Sequence, residues 1–191
     1  MRRDPVVRFV GRTAVLPAED VDTDQIIPAR FLKGTTRDGL GAHLFADRTD
    51  APVGTGAGVL VAGRNFGCGS SREHAVWALM GHGFRAVVAP SFADIFFANA
   101  LQNGLVPVVA PAAACAALGQ VPGAVVAVDV QALTLTLPDQ SAVAFALPPF
   151  ARHCLLEGLD DLSFLVSQEP SIAAYERRAA DSFFPDRKVT P

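Results

Sequence analysis

The chain has no uninterrupted apolar run approaching the roughly 20 residues that a membrane-spanning helix needs. It has no surplus of one charge either. Sixteen Lys and Arg stand against 19 Asp and Glu, a net charge of −3, and the charges are interspersed. That balance argues against nucleic acid or an anionic membrane as the main partner. Cysteine is scarce: Cys68, Cys115 and Cys154 lie far apart, with no C-x-x-C pair. An odd, scattered set argues against a disulfide framework. It also cannot supply the four thiolates of an iron–sulfur site. His43, His74, His82 and His153 are scattered without metal-ligand spacing and are read as structural or surface side chains. Neither a Walker A loop nor a G-x-G-x-x-G dinucleotide fingerprint is present. Met1-Arg2-Arg3-Asp4-Pro5 is followed by a strand-like pattern rather than an unbroken apolar stretch, so the expectation is a cytoplasmic protein.

Half of the residues are hydrophobic and the mean hydropathy is +0.31, which is ample for a core. With 191 residues, no internal repeat and no low-complexity linker, residues 1–191 are read as a single domain. Residues 6–16 read as one or two short strands broken near Gly11-Arg12. Three apolar runs, at 59–62, 84–89 and 105–109, read as buried strands alternating with helices. Gly83 and Gly104 sit where those helices should stop, and Ser91 where the second should be capped. Such an order implies right-handed crossovers and a mainly parallel sheet. Phe92, Ile95 and Phe96 share one helix face and are read as core. An alanine-rich helix covers 110–119. Beyond it, 125–130, 133–137 and 143–145 read as short strands; Leu133, Leu135 and Leu137 alternate with Thr, as in a half-exposed antiparallel strand. A second, antiparallel sheet is therefore expected. Helices follow from Pro148-Pro149 and over 172–180, and the tail from Phe183 is read as loose or folded onto a partner.

One stretch carries the chemistry: Gly63-Arg64-Asn65-Phe66-Gly67-Cys68-Gly69-Ser70-Ser71-Arg72-Glu73-His74. It joins the strand at 59–62 to a helix whose apolar pairs fall at 75/79 and 76/80. Gly67 and Gly69 permit a tight turn. Ser70 and Glu73 have the S-x-x-E spacing of a capping box. The helix amides and dipole would favour an anion at that end, and Arg72 can grip a carboxylate with two hydrogen bonds. Two readings stay open: Ser70 as N-cap with Arg72 as a solvated charge, or a carboxylate cradle with Ser70 and Ser71 beside it. Cys68 is read as a small turn residue, oxidation-prone if exposed. Upstream, Asp22-Thr23-Asp24 reads as an Asx-type turn. Residues 29–45 hold Arg30, Lys33 and Arg37 in a glycine-containing loop leading to a short helix.

Asn65-Phe66-Gly67-Cys68-Gly69-Ser70-Ser71-Arg72-Glu73-His74-Ala75 resembles the signature of the aconitase superfamily's swivelling domain, and within it the family of 3-isopropylmalate dehydratase small subunits. The resemblance extends in order along nearly the whole chain. Val21-Asp22-Thr23-Asp24-Gln25-Ile26-Ile27-Pro28 comes first, then Gly39-Leu40-Gly41-Ala42-His43-Leu44-Phe45. Ala89-Pro90-Ser91-Phe92-Ala93-Asp94-Ile95-Phe96 and Pro149-Phe150-Ala151-Arg152-His153-Cys154 complete it. The loop at 47–58 is shorter than the commonest bacterial form of this family.

The resemblance implies an α/β fold, a three-layer β/β/α swivelling domain with a mainly parallel sheet plus a smaller antiparallel one. It implies a hydro-lyase of leucine biosynthesis that converts 2-isopropylmalate to 3-isopropylmalate by dehydration and rehydration. Activity would require a large subunit, in a heterodimer or heterotetramer. That subunit would hold a 4Fe–4S cluster on three cysteines, and this chain would bind no cofactor and no metal. Ser70 would be the proton-transfer residue, with Ser71 and Arg72 binding substrate carboxylate. Thr23 and Asp24 would face the site, Asp24 as a hydrogen-bond acceptor. The 29–45 loop would help select the substrate's side group, with Arg30 and Arg37 as further carboxylate contacts or as members of a solvated basic loop. A sister enzyme acting on homoaconitate, citraconate or a dimethylmalate-like acid is the alternative, followed by a non-catalytic module that binds small acids.

Overall fold

The computed structural model describes residues 3–32, 36–52 and 56–183. Strand β1 (Arg8–Leu16) organises it. The break expected near Gly11-Arg12 is a change of partner in one continuous nine-residue strand. Arg8 to Arg12 pair antiparallel with β5 (Val125–Asp129), whereas Thr13 to Leu16 pair parallel with β2 (Val59–Ala62). Gly11 lies at the changeover, where a Cβ would stand 3.2 Å from Val59 Cγ2. The expected parallel and antiparallel parts are both present and share this strand. They form one seven-stranded sheet, β4-β3-β2-β1-β5-β6-β7. Strands β3 (Ala86–Ala89) and β4 (Val106–Val109) continue the parallel half; β6 (Thr134–Thr136) and β7 (Ala142–Ala144) continue the antiparallel half. Pro107, which cannot donate to a ladder, falls in β4 at the sheet edge.

Strands β2 and β3 are apolar throughout because both faces are covered, as parallel sheets require. Leu60 and Val87 point into one core with Ala75, Val76 and Leu79 of α2 (Glu73–His82) and Phe96 and Ala100 of α3 (Asp94–Asn103). Val59, Val61 and Val88 point the other way. They join Cys115 and Leu118 of α4 (Ala112–Gly119), Leu155 of α5 (Pro149–Glu157), and the antiparallel strands. Gly83 and Gly104, at φ of 116° and 91°, close α2 and α3 as the sequence indicates. Helix α6 (Asp161–Ser167) was not expected from the sequence, and α7 (Glu169–Phe183) is longer than the 172–180 segment read there. Most of the tail from Phe183 lies outside the described residues.

The segments leaving β1, β2 and β3 emerge side by side at their carboxyl ends, the usual place for a site in such sheets. Isolated bridges Asp22↔Cys68 and Phe66↔Phe92 stitch the three together.

Candidate active site

The loop after β2 is held on both flanks by backbone bonds. On one side Asp20 N–H donates to the Arg64 carbonyl (2.9 Å), Gly67 N–H to that of Val21 (2.8 Å) and Thr23 N–H to that of Cys68 (2.9 Å). On the other, Phe66 N–H donates to the Ser91 carbonyl (3.1 Å) and Ala93 N–H to that of Phe66 (3.0 Å). Beneath it Phe66 packs edge-on against Phe92 and Phe96, so the aromatic cluster is core, as expected, whereas Ile95, read with them as core, is 52% exposed. Gly67 has φ of 80°, and a Cβ there would meet the Phe96 ring at 2.2 Å. Only glycine passes that point.

The capping-box reading fails. Helix α2 starts at Glu73, its N-cap is Arg72, and no side chain caps it. Ser70 lies two residues too early. Its carbonyl accepts from Arg72 N–H (2.8 Å), which folds the chain into a turn before the helix. Glu73 does not reach back either, because its carboxylate accepts from Asn103 Nδ2 (2.7 Å). Asn103 is 1% exposed and also accepts from Trp77 Nε1 (2.9 Å). Among the described residues the N-terminus of α2 therefore has no side-chain cap; Ala75 N–H reaches the Arg72 carbonyl (3.3 Å), and the Glu73 and His74 amides have no acceptor. Ser70 and Ser71 are exposed next to it.

Thr23 and Asp24 open the short helix α1 (Thr23–Ile26), which Asp22 caps by accepting from Gln25 N–H at 2.7 Å. Thr23 is 2% exposed. Its hydroxyl donates to the Ser70 carbonyl (3.1 Å) and lies 3.3 Å from Ser70 Oγ. Arg72 Nη1 donates to Asp24 Oδ1. Thus Ser70, Ser71, Arg72, Thr23 and Asp24, from two distant stretches of sequence, meet at one place.

Arg30 and Arg37 are engaged elsewhere. Arg30 forms a two-pronged pair with Asp47 (2.6 and 2.5 Å) and lies over the Phe31 ring, which stacks on His43 at 3.9 Å. That hydrogen bond holds the Asp47 carboxyl below its ordinary value. Arg37 lies over Trp77, 5.0 Å from its centroid. Lys33 lies outside the described residues. Within the loop, 3₁₀ turns form at Ala29–Phe31 and Leu40–His43. The second abuts α2 so tightly that a Cβ on Gly41 would overlap the Gly81 backbone at 2.2 Å.

Ser91 does not cap α3, whose N-cap is Ala93. Its Oγ instead accepts from Asn65 N–H (2.9 Å), and Asn65 Nδ2 donates to Asp20 Oδ1 (2.8 Å). Cys68 donates to the Asp20 carbonyl (3.3 Å). Burial, and then the charges of Asp22 and Asp20, push its thiol up, which disfavours the reactive thiolate. Sequence reasoning also missed Asn103; α3 carries Asp94, Asn99 and Gln102 as well, so no local signal set it apart. Among the described residues no three His, Cys, Asp or Glu side chains converge as metal ligands.

Residues 54–113, which span this loop, match the Aconitase C-terminal domain family. The chain is 56% identical to the 3-isopropylmalate dehydratase small subunit of Anaeromyxobacter sp. (strain K), over 91% of this chain and 97% of that one. It is 48% identical to the one from Roseiflexus castenholzii, with 97% of each covered. A crystal structure of 3-isopropylmalate dehydratase from Methanocaldococcus jannaschii superposes with a TM-score of 0.72 at 32% identity, covering 88% of this chain and 99% of that chain. By sequence over nearly its full length, and by fold, the chain belongs to the family of 3-isopropylmalate dehydratase small subunits.

Proposed function

We propose that this chain is the small subunit of a hydro-lyase that isomerises 2-isopropylmalate to 3-isopropylmalate in leucine biosynthesis, acting in the cytoplasm with a large subunit. The observation that carries the reading is the convergence of Ser70 and Arg72 at an uncapped helix end on the open surface. A complete site would enclose its substrate, and this one is half a site; a second polypeptide supplies the rest. The cysteines support that division. Cys115 and Cys154 are buried, each in a different helix, and Cys68 is tied to a carbonyl. They do not fit a cluster. The 4Fe–4S cluster belongs to the large subunit and supplies, when bound there, a Lewis acid for the departing hydroxyl.

This chain's residues bind the acid and move the proton. Arg72 offers the unengaged edge of its guanidinium to a substrate carboxylate with two parallel bonds. The amides opening α2, with Ser71 beside them, add donors. Ser70 Oγ, as alkoxide, takes the proton from the carbon next to a carboxylate, and the electron pair left behind spreads into that carboxylate as enolate-like charge. The pair then forms the carbon–carbon double bond as hydroxide leaves the neighbouring carbon. Hydroxide re-adds at the carbon that lost the proton, and Ser70 Oγ–H returns the proton to the carbon that lost the hydroxyl. A serine is too weak an acid for this at its ordinary value, so the alkoxide needs helix amides and a nearby cation. An uncapped helix end beside Arg72 is such an environment.

The test is an assay of the purified chain, of a large subunit, and of the two mixed. Turnover is expected only in the mixture. Ser70→Ala is expected to abolish it, by at least about 1000-fold given the scale of such acid–base and nucleophile losses, while the complex still elutes as one species. Robust turnover by the chain alone, or unchanged turnover in Ser70→Ala, would refute the reading.

A further inference from the structure

Thr23 and Asp24 are adjacent, yet each is bonded to a different member of the site. Thr23 is almost wholly buried and its hydroxyl faces Ser70, so it has no surface left for a substrate. The side chain of Asp24 is half exposed but engages Arg72 through one guanidinium nitrogen, and among the described residues the rest of that group has no partner. From this geometry we infer that Thr23 and Asp24 are positioning residues, one holding Ser70 and the other aiming Arg72, and that neither touches the substrate. The inference rests on the roles proposed above for Ser70 and Arg72.

The two bonds do different work. The Thr23 hydroxyl has one hydrogen and two acceptors in range, the Ser70 carbonyl at 3.1 Å and Ser70 Oγ at 3.3 Å. While Ser70 is neutral, the hydrogen rests on the carbonyl and Ser70 Oγ–H can donate to Thr23. Once Ser70 carries negative charge, a rotation about one bond turns the same hydrogen onto Oγ. Charge-assisted bonds are the stronger kind, so the rotation favours the alkoxide. Asp24 acts by orientation. A long arginine at a turn would otherwise sample many rotamers, and a carboxylate on one nitrogen fixes the plane of the fork. The short helix that presents both residues is itself fixed, through the Asp22 cap and the Thr23 N–H bond to the Cys68 carbonyl.

The experiment uses the assembled enzyme and 2-isopropylmalate. Thr23→Val, which removes the donor at nearly constant volume, should lower kcat by roughly 10- to 100-fold, the range seen for loss of one donor to a developing oxyanion. KM should hold, and the rising limb of the kcat pH profile should move to higher pH. Thr23→Ser should restore both. Asp24→Ala should raise KM about tenfold with little change in kcat, and Asp24→Asn, which keeps an acceptor, should recover most of it. Thr23→Val should add nothing to Ser70→Ala, and Asp24→Ala nothing to Arg72→Ala. The inference is overturned if Thr23→Val keeps the wild-type kcat and pH profile. It is equally overturned if Asp24→Ala raises KM as much without Arg72 as with it, since that places Asp24 on the substrate. Should Thr23→Val fail to assemble, Thr23→Ala and Thr23→Ser are compared, and an equal loss in both rules out the hydroxyl. Wild-type kinetics in Ser70→Ala or Arg72→Ala alone would instead be a failure of the parent reading.

Discussion

Arg72 is the residue on which geometry matters most. Its guanidinium is planar and forked, and one nitrogen already faces Asp24. Lysine keeps the charge but loses the fork. Arg72→Lys is therefore expected to raise KM more than it lowers kcat, by roughly 10- to 100-fold, the equivalent of one charged hydrogen bond of about 1.5–3 kcal/mol. Steady-state kinetics on the complex decide it, and an unaltered KM would remove Arg72 from carboxylate binding. The cysteines give a second prediction at this scale. Burial pushes Cys115 up to about 11 and also raises Cys154, while Cys68 is raised by burial and two neighbouring carboxylates. Since the thiolate is the reactive form, a thiol reagent near pH 7.5 should modify Cys68 slowly and the other two only on unfolding. Rapid labelling of all three in the folded protein would contradict that picture.

At the scale of elements, the decisive part is the junction between β2 and α2. The S-x-x-E spacing of Ser70 and Glu73 points to a capped helix, but the chain makes an extra turn first. Local pattern misses this because Glu73 is claimed by Asn103, 30 residues away, and Ser70 by Thr23, 47 residues away. Non-local partners outcompete a local cap, and the helix end stays open as a result. The turn also depends on Gly67. A side chain there would combine left-handed backbone with overlap on Phe96. Gly67→Ala should destabilise the fold by at least about 3 kcal/mol and lower activity through the displaced Ser70 loop. Thermal denaturation checks it, and an unchanged melting temperature would mean that the loop is not packed as described.

For the whole molecule, the proposed division of the site between two subunits predicts what this chain does alone. The helix end and Arg72 carry the means to attract an anion, but a site shared with a second subunit would leave the acid in water when that subunit is absent. Calorimetry with 2-isopropylmalate should show no binding to the isolated chain beyond the millimolar range, about −4 kcal/mol or weaker, and clear binding to the complex. Tight binding by the chain alone would favour the small-acid-binding module over the enzyme subunit. With the complex in hand, a panel including citraconate and homoaconitate separates the sister activities.

Much of this protein is written locally in its residues. The apolar runs at β2, β3 and β4, the glycines closing α2 and α3, and the ordered motifs from Val21 to Cys154 follow from propensity, periodicity and turn chemistry, all of which act over a few residues. The use made of those pieces is decided by contacts between distant segments. Strand β1 changes partner at Gly11 and so merges two expected sheets into one, because hydrogen-bond pairing depends on which strand lies alongside. Arg30 and Arg37 are drawn to Asp47 and Trp77. Thr23 and Asp24 meet Ser70 and Arg72 because strands β1 and β2 are parallel neighbours that deliver their following loops to the same edge. A chain read residue by residue carries no record of such adjacency, since it arises only when the core closes.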